Sequence, residues 1–391
     1  MRTILTLLTF LLSSLAWAVT PLLAALEFVP AERFLNDPAN SATFADLAAG
    51  FDSFGIPVPG SWDEVPEGEQ RSLLAALPAG LASSVAMYLL PTAPLYPEVL
   101  GLDLFDIRQT LEFNEPPEQA LVLLGEFDDE AVVAAFEARD YVVAGDSPHL
   151  LCPAAGCDTG MVPDLRNRDP ANVFGGDLGR RFPVLLSAAG IIGSPSEALL
   201  QESAAAQADE QLSLADLPEV RAAADYLYGF QQVRAVTVLH PFALAAPDPA
   251  RLIEAEPEER EAVLAQLNAA ALPPYSLLLL AATTDEEWHY GLTVLVYPDV
   301  QTAQAAAEAI DVRLSTLISS RSGLSYAETI ADPGELLPVS VEPLAEGLAL
   351  VAVTVRAPRE TVSAGLQPDV HYWRMLNALR NRDHLWLVPG G

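Results

Sequence analysis

The chain contains no lysine. All 20 of its basic residues are arginine, set against 53 acidic residues in a chain of 391, and the formal net charge is −33. Without a side-chain amine there is no Schiff-base chemistry, no pyridoxal phosphate attachment, no P-loop lysine and no Ser/Lys dyad. The acidic balance repels nucleic acid and anionic lipid. Two origins fit such a composition: adaptation to salt, which screens repulsion among carboxylates, or a GC-rich genome that favours arginine and alanine codons.

Long apolar runs are also lacking. Spanning a bilayer takes roughly 20 apolar residues. The stretch from Ile4 to Leu12, with Leu15, is broken by Ser13 and Ser14. With Met1-Arg2 before it and Ala16-Trp17-Ala18 after it, residues 1–18 read as a cleavable signal peptide cut after Ala18. Cleavage would remove the +1 of Arg2 and take the charge from −33 to −34. No cysteine follows the apolar stretch to carry a lipid anchor. Leu277 to Ala282 and Leu348 to Val355 are too short to span and read as buried strands. The expectation is an exported protein, periplasmic or extracellular, with no transmembrane anchor after cleavage.

Cysteine is scarce, with two residues, Cys152 and Cys157. In an oxidising compartment they are expected to form a short local disulfide. The four residues between them do not suit a redox pair, which normally has two. His149 alone nearby leaves a zinc site short of ligands. The five histidines, His149, His240, His289, His371 and His384, show no HExxH spacing, and no Gly-x-Ser-x-Gly elbow occurs. With so many acids, no catalytic carboxylate pair can be nominated from sequence.

What is present is a long polar segment after Cys157. Asp158, Asp164, Asp169, Asn172 and Asp177 offer hard oxygen ligands to Ca²⁺, without EF-hand spacing. The favoured alternative is an ordered loop tied by Arg/Asp pairs and turns at its glycines. Gly175-Gly176 with Arg180 and Arg181 is a candidate anion holder. Trp288-His289-Tyr290 and His371-Tyr372-Trp373-Arg374 concentrate aromatic groups that suit either a recognition patch or a core.

Along the chain, Ser41 to Phe54 reads as a helix bearing Phe44, Leu47 and Phe51 on one face, and Glu67 to Leu77 as a second. Leu121 to Phe127 is an expected strand and Glu130 to Arg139 the helix after it. Ser194-Pro195-Ser196-Glu197 reads as a capping box starting a helix that ends near Ala208. The second half repeats the theme. Gln232 to Leu244 is a strand, Glu258 to Ala270 a helix, and Tyr275 to Thr283 with Trp288 to Tyr297 a hairpin. Asp299 caps a helix whose inward stripe is Val300, Ala303, Ala307, Ile310, Leu314 and Leu317. Strands and helices between hairpins, without strict βα alternation, predict an α+β fold of two tandem ferredoxin-like domains, 19–230 carrying the disulfide loop and 231–391.

Several segments carry a resemblance: Leu26-Glu27-Phe28-Val29-Pro30-Ala31, Gly101 to Asp106, Pro116-Pro117 leading to Gly125-Glu126-Phe127-Asp128, the Cys152 loop, and Phe174-Gly175-Gly176-Asp177-Leu178-Gly179-Arg180. Over residues 20 to 230 the chain resembles a family of uncharacterised exported bacterial proteins, often lipoproteins, with GFD, G-x-F-D and FGG-x-LGR segments. The resemblance implies bacterial export and brings no activity with it. The expected role is a binding or interaction protein of the periplasm or envelope, without enzyme activity or cofactor beyond a candidate calcium ion. Its partner would be a protein or small molecule. An envelope-polymer hydrolase using paired carboxylates and a calcium-stabilised structural protein are the alternatives.

Overall fold

The computed structural model describes residues 20–144, 150–157, 162–244, 253, 256–362 and 369–390. The signal-peptide expectation, His149 and Asp158 lie outside them. Thirteen strands among the described residues join into one sheet in which every neighbouring pair is antiparallel.

At the centre lie β1 (Ser41–Asp46) and β8 (Gln232–Leu239), paired with each other. Beyond β1 follow β2 (Ile107–Phe113), β3 (Ala120–Gly125), β7 (Gly190–Gly193), β6 (Val184–Ser187), β5 (Leu150–Pro153) and β4 (Tyr141–Ala144). Beyond β8 follow β9 (Leu277–Thr284), β10 (Trp288–Tyr297) and β13 (Ala349–Pro358), with β11 (Glu335–Leu336) and β12 (Ser340–Pro343) both on β13. The class is α+β. Two tandem ferredoxin-like layers are not what this pairing makes. The β1–β8 ladder fuses the halves, and β8, β9, β10 and β13 lie in chain order, whereas a split βαβ unit interleaves its strands.

Both halves use one device: a β-hairpin followed by an aspartate-capped helix. Asp128 accepts from the amides of Glu130 and Ala131 to start a helix over Asp129–Glu137. Asp299 accepts from the amide of Thr302 at 2.7 Å to start the helix Val300–Thr316. The buried face of that second helix is rotated from expectation. Ala306, Ala309 and Arg313 point inward with Ala303, Ile310 and Leu314, while Val300 is exposed. Arg313 is inward because its guanidinium donates to three carbonyls, those of Ala270 (2.7 Å), Val388 (2.6 Å) and Leu267 (3.1 Å). Burial pushes its pKa down to about 10.

Two other expectations are corrected. Ser41 to Asp46 is a strand, because it is laddered on both sides; only Leu47–Ser53 is helical, with Asp46 as its cap. The helix Glu197–Gln207 is capped by Ser196, which accepts from the Leu199 amide, and Pro195 stands outside it.

Alternation along the strands sends side chains to both faces of the sheet. On one face Phe44, Leu111, Val122, Val236, Leu279, Val294 and Leu350 belong to a single core beneath the helices Pro21–Leu26, Glu197–Gln207 and Pro218–Leu227. That core crosses the 230/231 junction. On the other face there are two cores. Ala45, Leu121, Leu123 and Leu186 pack under the first-half helices Leu47–Ser53, Gln70–Ala76 and Asp129–Glu137. Leu278, Leu280, Leu295 and Val351 pack under Val300–Thr316 and Val370–Arg380.

Candidate functional site

Between those two cores the face of the sheet is polar. Thr237 on β8 is opposite Thr43 on β1, and Thr43 is opposite Glu112 on β2, so three polar residues lie in one row across three strands. Alternation requires them to face away from the continuous core, since Val236, Val238, Phe44, Leu111 and Phe113 take that side. The hydroxyls of Thr43 and Thr237 are 3.1 Å apart, and Thr237 meets the Tyr372 hydroxyl at 2.6 Å.

Above the row the helical layers of the two halves leave a cleft of about 910 Å³. One wall is the segment 74–91, which Gly80 allows to lie against β1 and β8: a Cβ there would meet the Phe44 carbonyl and the Ala235 methyl at 2.8 Å. The other wall is the helix Val370–Arg380. Leu74, Leu77, Met87, Leu90, Trp373 and Leu376 supply apolar side chains to the walls, and Met87 is 63% exposed. Polar side chains also line it, among them Ser41, Ser83, Glu112, Gln119 and Arg380, and a cleft of this volume with apolar walls and polar groups to orient a ligand suits a small molecule.

Of the four charged residues that line the cleft, Glu112 and Asp369 are committed. Glu112 accepts from the Ser83 amide (3.0 Å) and hydroxyl (3.2 Å) and from the Gln119 side chain. Burial raises its pKa; the Ser83 hydrogen bonds and Arg380 act against that rise. Asp369 pairs with the fully buried Arg234 at 3.0 Å and accepts from the Ala79 amide at 2.8 Å. Arg234 also reaches the Ser53 hydroxyl and the Ala76 carbonyl and lies over the Phe54 ring. This buried ion pair ties β8 to both walls. Arg380, exposed at the far lip, stands 5.9 Å from the Trp373 ring.

The turn between β2 and β3 closes the other end. There Asn114 adopts φ 62°, is 7% exposed, and its Oδ1 has no hydrogen-bond partner among the described residues. Asn114, Glu115 and Pro116 also line a second cleft of about 750 Å³ beside Arg33.

The residues singled out from sequence lie elsewhere, with one exception. Cys152 and Cys157 form a disulfide with Cα atoms 4.8 Å apart. Asp164 accepts from the Arg166 amide and the Asn167 side chain. Asp169 pairs with Arg139 and accepts from the Ala171 amide. Asn172 is buried and accepts from the Phe174 amide, and Asp177 lies in a one-turn 3-10 helix, Gly176–Leu178. Among the described residues no group of three or more His, Cys, Asp or Glu side chains is placed to hold a metal ion. Arg181 donates to the Arg139 carbonyl, while the Arg180 amide closes a turn on the Gly175 carbonyl. Gly175 (φ 87°) and Gly179 (φ 67°) bend the segment so tightly that it packs Phe174 into the first-half core. The exception is Trp373, which the His371-Tyr372-Trp373-Arg374 cluster contributes to the cleft. His371 and Tyr372 are buried, and Arg374 pairs with Asp332. In the other aromatic cluster, His289 is buried and Trp288 lies under Arg356 at 4.2 Å.

Among the described residues no helix is long and apolar enough to cross a membrane. With the disulfide, this is consistent with an exported protein. No protein-family model and no curated protein matches the chain. Two solved structures were found similar. Crystal form III of TP0453 has a TM-score of 0.36 and 8% identity over 87% of this chain and 96% of that one. Crystal form I of TP0453 has a TM-score of 0.31 and 8% identity over 93% and 99%. Likeness at that level leaves fold and function to be read from the chain itself.

Proposed function

We propose that the protein is an exported, non-enzymatic binding protein of the bacterial envelope, and that its ligand occupies the cleft between the two helical layers. The observation that carries this reading is the pair Thr43 and Glu112, neighbouring polar side chains on β1 and β2 that line an opening with apolar residues on its walls, near the middle of the sheet. Binding is favoured over catalysis because the acids of the cleft floor already serve as acceptors. Glu112 holds Ser83 and Gln119, and Asp369 holds Arg234 and Ala79. The resemblance to exported bacterial proteins and the disulfide support the envelope setting.

Nile red, a neutral dye that brightens in apolar surroundings, tests the site. Its emission should rise with the full chain and fall when Met87→Glu and Leu90→Glu are combined in the cleft wall. Dye binding indifferent to both substitutions would sink the reading. The hydrolase remains the second reading, favoured by the raised pKa of Glu112 and by Glu115 near it. It requires turnover of a peptidoglycan or polysaccharide substrate that Glu112→Gln abolishes.

A further inference from the structure

The two clefts share Asn114, Glu115 and Pro116 and so meet at the β2–β3 turn as two arms, and the chemistry of the lining differs between them. The larger arm is walled by leucines, Met87 and Trp373. The smaller arm is lined by five carboxylates, Glu32, Asp37, Glu115, Glu118 and Glu202. The one cation lining it among the described residues, Arg33, is already paired with Glu118 and with Glu202. At the bend stands Asn114, more than nine-tenths buried, lining both arms, with a side-chain Oδ1 that has no hydrogen-bond partner among the described residues. A buried acceptor left unmatched costs free energy that a ligand's donor would recover.

We propose that the ligand is a cationic amphiphile: an apolar chain lying in the larger arm and a primary ammonium head seated at the bend beside Asn114, facing the carboxylates of the smaller arm. An ammonium group supplies three N–H donors and no acceptor, which matches an arm rich in acceptors. An anionic head is disfavoured there by the five carboxylates and by a net charge of −33. A neutral sugar head can hydrogen-bond but gains nothing from the charge. This inference rests on the cleft being the binding site and adds the class of ligand.

The test compares three probes with the same dodecyl chain, each below its micelle concentration, titrated calorimetrically into the full chain: dodecylamine, dodecyl maltoside and dodecanoate. Dodecylamine should bind at least about tenfold more tightly than the maltoside in about 0.1 M NaCl, and the gap should shrink in about 1 M NaCl. Dodecanoate should bind most weakly. Asn114→Gly, which keeps the positive φ, should weaken the amine, and Glu115→Gln on the exposed turn, which removes only charge, should weaken the amine several-fold more than the maltoside. Met87→Asp should weaken every probe that binds. Equal binding of all three, with Asn114→Gly and Glu115→Gln silent, would overturn the head-group assignment and leave the cleft standing. Tightest binding by dodecanoate would also overturn it and move the head to Arg380. No binding by any probe, together with Nile red emission indifferent to the cleft substitutions, would remove the cleft reading itself.

Discussion

The two faces of the sheet are built from the same strands and end differently. On one, helices of the first half lie over a single apolar core to which strands of both halves contribute and which crosses the middle of the sheet. On the other, each half keeps its own helices, and the middle is spanned by the buried Arg234–Asp369 pair and the polar row at Thr43. The difference teaches that a sheet of this width can carry one continuous apolar core on one side and still leave a polar seam on the other. Apolar closure gives rigidity on the first face; on the second, polar ties leave room.

The comparison breaks most sharply at Phe44 and Thr43, neighbours on β1 that point to opposite faces. Phe44→Ala leaves a void in the continuous core and should cost about 4 kcal/mol in urea-induced unfolding, with both halves lost in one transition. Arg234→Met should cost about 3 kcal/mol, because Asp369 is left buried without its counter-ion. Adding Asp369→Leu should recover much of that loss if the pair serves to position the walls. No recovery would mean that the walls depend on the ion pair for more than charge balance. Thr237→Val should cost about 1–2 kcal/mol, since it strands the buried hydroxyl of Tyr372.

Acid should act on the split face. Burial pushes both His289 and His371 down to about 4, from an ordinary value of 6.5, and for His289 the positive charge of Arg234 adds to the effect. The unfolded chain binds protons below about pH 6.5 that the native state refuses until about pH 4, so stability is complete above that window and falls as pH drops through it. The melting temperature should therefore decline from pH 7 towards pH 4, and His289→Gln should flatten the decline. An unchanged slope would place the acid response elsewhere. The smallest effect is expected from EDTA: Asp164 is a helix cap, Asp169 an ion-pair partner, and no group of acids among the described residues is placed to hold a metal, so the melting point should hold. A clear fall would restore calcium, with Asp158 as a further ligand to examine.

Much of the fold was legible in the sequence because it is written locally. Asp299 capping a helix after a hairpin, the fully apolar strand at Leu277 to Ala282 and the cysteine pair needed no knowledge of distant neighbours. The centre of the sheet was not legible for the opposite reason. Ser41 to Asp46 carries Phe44 where either a helix or a strand would bury it, and it becomes a strand because β2 and β8, far away in sequence, ladder both its sides. β2 itself escaped notice, and with it Glu112. A carboxylate alternating with Leu111 and Phe113 was the available signal, yet it reads as a solvated face until the residues opposite it are known. Trp373 was noticed as part of an aromatic cluster, but its wall of the cleft needs the 74–91 segment across from it. The polar loop drew attention by composition alone, which does not separate a ligand set from a brace.

The β1–β8 ladder has a consequence for any attempt to divide the molecule. Cutting the chain at 230/231 would strip β1 of its partner and expose the backbone donors and acceptors of Ser41 to Ala45 as an open edge, flanked by the uncovered apolar side chains of the shared core. Such an edge is a template for another chain. A fragment ending at 230 should be recovered as dimers or aggregates joined strand to strand, and adding the fragment that begins at 231 should disperse them.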